Sequence, residues 1–231
     1  DSNYGVIYMN AGSGNVRAYH NWDDFAPGSQ GSIKDTYLIN NLGSDVTALT
    51  VSPFETSTSN LYAGNQSGQL WKISNAQKST NQDKLNISGD DFVGSISDIE
   101  FGKDENHIFV TFYNYGVESI FYSSDSGENW LKKEGNLPDL PVYNILQSPL
   151  DEDEVIIGTE LGVWYTKNFN SDNPSWTRAN NGMSDVRVTD LDLRLGDDYK
   201  VFAATYGLGI FSGNFAVNEP IINIKTDTNL I

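Results

Sequence analysis

The sequence predicts an all-β chain, a β-propeller of four-stranded antiparallel blades, with about five blades represented. The first observation behind this is an internal repeat. Val46–Pro53, Ile96–Lys103, Val142–Pro149 and Val188–Leu195 share one shape, and their starts lie 50, 46 and 46 residues apart. Each alternates apolar and polar residues, the pattern of a half-buried strand. The second is that each is followed by a polar turn, a β-rich run, a short turn, a third strand and a fourth, more polar strand, so a unit of about 46 residues carries four strands. The third is negative: no stretch carries a sustained 3.6-residue apolar stripe. One small twisted sheet cannot bury both faces, whereas sheets stacked radially bury them against each other.

The units divide the chain in order. A partial unit spans 5–44. It begins at a second strand, Gly5–Met9, followed by Asn15–Tyr19, and lacks an innermost strand. Full units cover 45–94, 95–140 and 141–186. Their second strands are Leu61–Gly64, Ile108–Thr111 and Val155–Gly158; their third strands are Gln69–Ile73, Ser119–Ser123 and Gly162–Thr166. A partial unit at 187–215 holds Val201–Ala204 and Gly209–Ser212 and is expected to lack its outer strand. Residues 216–231 read as a linker or the start of a following β-domain. The two shortages fall in different blades, so the units are expected to belong to a larger propeller of seven or eight blades.

Composition bounds the chemistry. The 231 residues hold 31 acidic and 14 basic side chains, for a net charge of -17, with no cysteine and two histidines. Disulfides, thiol nucleophiles, Cys-ligated zinc and a three-His zinc site are excluded. The negative charge argues against nucleic acid, which needs a cationic face, and against a polybasic membrane tether. No apolar run reaches the roughly 18 residues of a membrane span, so no direct membrane insertion is expected. His20 and His107 have no ligand-spaced partners.

The most specific motif is Ser123-Ser-Asp125-Ser-Gly127-Glu-Asn-Trp130. It resembles the Asp-box, Ser-x-Asp-x-Gly-x-x-Trp, of BNR-repeat propellers such as those of sialidases, sortilin-like receptors and xyloglucanases. Asp125 can accept bonds from turn amides, Gly127 supplies a positive φ, and Trp130 is expected to close its hairpin by packing back on its own blade. A degraded copy runs from Thr166 through Asn168 and Asn170 to Trp176. The order of units also resembles propellers of large secreted multidomain proteins of the Bacteroidetes type, many exported by the type IX route. That resemblance implies an extracellular or cell-surface bacterial location and further domains of the same polypeptide.

Propeller geometry sorts the loops. Turns between first and second strands share a face with the Asp-boxes. Their acidic run Asp151–Glu154 could hold calcium, with Asp151 and Asp153 as candidate ligands and a solvated acidic turn as the alternative; no other cofactor is expected. Turns between second and third strands, and blade-to-blade connections, lie on the opposite face near the channel mouth. They carry the ligand-binding candidates Asn65, Gln66, Tyr113, Asn114, Tyr115, Glu160, Arg187 and Tyr206. The tyrosines could stack on a sugar ring or grip a peptide, and Glu160 with Arg187 could form a polar clamp. Packing at the blade rim and a structural ion pair are the alternatives. Trp71, Trp130 and Trp164 read as core or hairpin anchors.

Catalysis finds little support. The resemblance to sialidases would require an arginine triad, yet the chain has only Arg17, Arg178, Arg187 and Arg194 and no Arg-Ile-Pro motif. No two carboxylates are selected as a glycosidase pair. The expected function is therefore a non-catalytic extracellular binding or scaffold module recognising protein or glycan through its loops. The alternatives are a non-catalytic part of a glycoside hydrolase propeller and a peptide-binding assembly or sorting module.

Overall fold

The computed structural model describes residues 5–20, 36–179, 182–196, 199–215 and 225–226. Among them every regular element is a strand. The strands form five sheets in sequence, one three-stranded and four four-stranded. The first contains β1 (Val6–Gly12), β2 (Asn15–His20) and β3 (Thr36–Ile39). The second contains β4 (Val46–Val51), β5 (Leu61–Asn65), β6 (Leu70–Ser74) and β7 (Asp83–Asn86). The third contains β8 (Ile96–Phe101), β9 (Ile108–Phe112), β10 (Ile120–Ser123) and β11 (Leu131–Lys132). The fourth contains β12 (Val142–Gln147), β13 (Val155–Thr159), β14 (Gly162–Thr166) and β15 (Thr177–Arg178). The fifth contains β16 (Val188–Arg194), β17 (Lys200–Thr205), β18 (Gly209–Asn214) and β19 (Lys225–Thr226). All pairings are antiparallel and follow chain order, so each sheet is a meander of hairpins.

Strands β4, β8, β12 and β16 pack against one another in succession and line the axis. They occupy the four repeated segments. Strand β1 packs against β4 as β5 does against β8, so it stands at the second position of its sheet. One expectation is corrected at the other end. The fifth sheet does not stop at three strands, because Lys225 and Thr226 pair with Ser212 and Phe211 as its outermost strand. Those two residues therefore belong to the blade and not to a linker. Residues 216–224 and 227–231 lie outside the described residues.

The second strands are buried end to end. Leu61–Asn65, Ile108–Phe112 and Val155–Thr159 have no exposed residue, because a sheet covers each of their faces. Each interface between neighbouring sheets is an apolar cluster. Tyr62, Leu70 and Ile87 of the second sheet, for example, meet Ile96, Ile99 and Val110 of the third. Glycine sets the closest approaches. A Cβ on Gly64 would lie 2.5 Å from Cγ2 of Ile96, and one on Gly158 would lie 2.7 Å from Cγ1 of Val188. Both glycines admit the first residue of the next innermost strand.

The Asp-box turn forms as its spacing predicts. Asp125 Oδ1 accepts the Asn129 amide at 2.9 Å and the Ser123 hydroxyl at 2.8 Å, and Gly127 sits at φ 88°. Trp130, however, does not close its own hairpin. Its indole Nε1 donates to the Ile87 carbonyl of the preceding sheet at 2.8 Å, and its ring packs on Phe92 with centroids 4.9 Å apart. The degraded copy keeps this arrangement. Thr166 Oγ1 donates to Asn168 Oδ1, Asn168 accepts the Ser175 amide, and Trp176 Nε1 donates to the Lys133 carbonyl at 3.0 Å. Trp71 and Trp164 pack against the apolar clusters that flank their sheets.

Candidate functional site

A repeated irregularity builds the site. Each of the four innermost strands carries a bulge at the same place, after Val46, Ile96, Val142 and Val188. A bulge leaves one residue unpaired and re-aims its side chain. The four bulged residues are Thr47, Ser97, Tyr143 and Thr189, and every one has a hydroxyl. Together with Tyr113, Asn144 and Arg187 they line a cavity of about 350 Å³ at the mouth of the channel. Two of the bulge hydroxyls also join sheets. Thr47 Oγ1 donates to the Ile96 carbonyl and Ser97 Oγ to the Val142 carbonyl, both at 2.6 Å.

Arg187, in the connection entering β16, dominates this mouth. Its Nε donates to Glu160 Oε2 at 3.0 Å and its Nη2 to Glu160 Oε1 at 3.3 Å. The Tyr143 hydroxyl donates to the same Glu160 Oε2 at 2.6 Å. The guanidinium carbon lies 5.4 Å from the Tyr143 ring centroid and 5.3 Å from that of Tyr206, within cation–π range of both. Tyr113 lies parallel to Tyr143 with centroids 6.2 Å apart. Tyr206 is held by its amide, which donates to the Arg187 carbonyl, while its side chain leaves the residue 72% exposed.

The electrostatics fix the charge states. The Tyr143 hydroxyl first, and then Arg187, hold the Glu160 carboxyl below the ordinary range against the opposing effect of burial. Burial, then the bond to Glu160, pushes the Tyr143 phenol up to about 12. Glu160 is thus an anion neutralised by Arg187, and among the described residues Arg187 makes its side-chain hydrogen bonds through Nε and Nη2.

The sequence candidates separate into two groups. Tyr113, Glu160, Arg187 and Tyr206 come together at this mouth. Tyr115 stands beside them, 61% exposed, on a loop whose Gly116 amide donates to Asp139. Asn65 is not free for a ligand. It is fully buried, its Oδ1 accepts the Ser67 and Gln69 amides, and its Nδ2 donates to the Leu42 carbonyl and Gln69 Oε1. The turn takes up all its capacity. Asn114 likewise accepts the Ser95 amide at 2.6 Å, tying its turn to the preceding connection. Gln66 is exposed, and its backbone amide donates to the Asp45 carbonyl.

Tyr143 was missed as a candidate because it sits inside a strand. The available signal was the hydroxyl residue at the second position of every repeated segment. On the opposite face, Asp151 Oδ1 accepts the Asp153 amide and Asp153 Oδ1 accepts the Asn170 amide. Among the described residues no group of three or more His, Asp or Glu is placed to hold a metal ion.

No protein-family model and no curated protein matches the chain. Solved structures do. One is described as the structure of U3-55K, with TM-score 0.67 and 10% identity over 96% of this chain. Another is the GH74 xyloglucanase from Xanthomonas campestris, with TM-score 0.62 and 13% identity over 93% of this chain. The fold is a β-propeller. At these identities the likeness is one of fold alone. The chain spans 62% of the length of the first and 36% of the second.

Proposed function

We propose that this chain is a non-catalytic binding module of a secreted or cell-surface bacterial protein, and that it recognises a glycan or a protein at the Arg187 mouth. The observation that carries this is the Tyr143–Arg187–Tyr206 arrangement over a cavity of about 350 Å³. The exposed rings of Tyr113 and Tyr206 offer flat apolar faces to a sugar ring or an aliphatic side chain. Beside them Arg187 offers directed donors, and the bulge hydroxyls offer donors and acceptors. Glu160 supports a non-catalytic role. Held ionised by Tyr143 and Arg187, it has no proton to give a leaving group, as a general acid must. The Asp-box geometry of Ser123–Trp130 supports the BNR-type assignment. No cofactor is proposed.

A glycan microarray and a pull-down, run with the wild type and with Tyr206→Ala and Arg187→Ala, test the proposal. Expected is a defined set of bound glycans or one protein partner, with affinity reduced about tenfold or more in each variant. Binding that survives both substitutions overturns it.

A further inference from the structure

The larger cavity opens on the other face of the channel. It measures about 500 Å³ and lies where β4, β8, β12 and β16 run out into their turns. Its wall is apolar around Phe54, Phe101, Leu146, Pro149, Leu191 and Leu193. Phe54 is 43% exposed despite its size, and Leu195 at the rim is 72% exposed. Glu152 lines the cavity together with Lys103, and two further carboxylates, Glu100 on β8 and Asp192 on β16, interrupt this wall.

Among the described residues neither Glu100 nor Asp192 is paired with a cation. Lys103, the cation at the rim, is paired with Glu152 at 3.0 Å. Farther into the channel stand Asp98 and Asp190, two residues back along the same strands. Burial first, and then the neighbouring charge of Asp98, raise the Glu100 carboxyl to about 7. Asp98, by contrast, is occupied structurally, since it accepts the Ile99 and Ile145 amides at 2.9 and 3.1 Å. The sequence signal was present as carboxylates at i and i+2 on two innermost strands.

We infer that this lower vestibule binds a peptide segment bearing an arginine or lysine between apolar residues. A long cationic side chain lays an apolar stem along an apolar wall and carries its charge to the end. Here the wall is lined by leucine and phenylalanine, and the charge would meet Glu100 and Asp192. The net charge of -17 draws such a partner in. A bare metal ion fits less well, because it needs several converging oxygen ligands and has no use for the apolar rim. The site is on the face opposite Arg187 and stands independently of the function proposed there.

The test is fluorescence polarisation with fluorescein-labelled pentapeptides carrying a central arginine between apolar residues, beside the same peptides with citrulline. Expected is binding by members of the arginine set, weakened about tenfold or more by citrulline. The Glu100→Gln/Asp192→Asn double variant, checked for folding by its thermal melt, is expected to lose binding to the same extent. Tyr206→Ala is expected to stay within about twofold of wild type. The inference fails if no arginine peptide binds by roughly 1 mM. It also fails if citrulline peptides bind equally well, or if the folded double variant retains full affinity.

Discussion

The indole Nε1 of Trp130 donates to the Ile87 carbonyl at 2.8 Å, across the boundary between the second and third sheets. Trp176 repeats the bond to Lys133 one sheet later, at 3.0 Å. The motif is thus a device for joining blades, with its turn holding the tryptophan at the right height. Trp130→Phe and Trp176→Phe each leave a carbonyl without its donor, at a cost of about 1 kcal/mol. Because the bonds lie in different interfaces, the double variant should lose close to the sum. Urea denaturation of the two single variants and the double variant measures this.

Glu105 is a second joint between the same sheets. It accepts Asn60 Nδ2 at 2.7 Å, the Tyr62 hydroxyl at 2.8 Å, the Ser52 hydroxyl at 2.9 Å and Lys72 at 3.0 Å. Burial alone would raise its carboxyl, but the bonds from Lys72, Tyr62, Asn60 and Ser52 outweigh it and leave it lowered. Its contribution is therefore present above the ordinary glutamate range and lost as pH falls through the depressed value. Glu105→Ala should cost about 2–3 kcal/mol at neutral pH, and less in acid, where wild type has already lost the charge.

Other carboxylates work in the opposite sense. Burial is the main cause that raises Glu100 and Glu134 to about 7 and Asp98 to about 6. A group raised in the folded state binds protons more tightly there than when unfolded. The stability it adds is complete below its ordinary range and disappears as pH rises through 6 to 7. The melting temperature should therefore be higher at about pH 5.5 than at about pH 8. Glu134→Gln, which can still accept the Ser119 amide now bound by Glu134 at 2.7 Å, should flatten that fall.

The close approach at Gly158 is a packing constraint without left-handed strain. Gly158→Ala sets a Cβ against Val188 and should destabilise by about 1–3 kcal/mol, with the same direction for Gly64→Ala against Ile96. Val188→Ala combined with Gly158→Ala should recover part of the loss, because the added methyl then meets a smaller neighbour. Thermal melts of the single and double variants check this.

These residues also show what could be read from the sequence. The alternation in Val46–Val51, Ile96–Phe101, Val142–Gln147 and Val188–Arg194 is a direct imprint of strands with one face on the next sheet, so the blade architecture was legible. The bulges were not, because a bulge changes register and leaves composition alone. Tyr143 therefore looked like any outward strand residue. Glu160 and Arg187 were recognised as possible partners from their loops, but they are 27 positions apart, and their bidentate geometry depends on the meander between them. Trp130 was legible as an anchor but not its target, since a hairpin motif carries no information about the adjacent blade. Strand β19 escaped because two residues show no periodicity.

Chemical-shift mapping by NMR, with the strongest binder from the microarray or pull-down titrated into the labelled chain, tests the central proposal most directly. The expected result is that the largest shifts cluster at Tyr113, Tyr143, Arg187 and Tyr206, and that they include the Arg187 Nε–H resonance. Shifts confined to outer strands, or to the Asp-box face around Ser123–Trp130, would contradict the assignment of ligand binding to the Arg187 mouth.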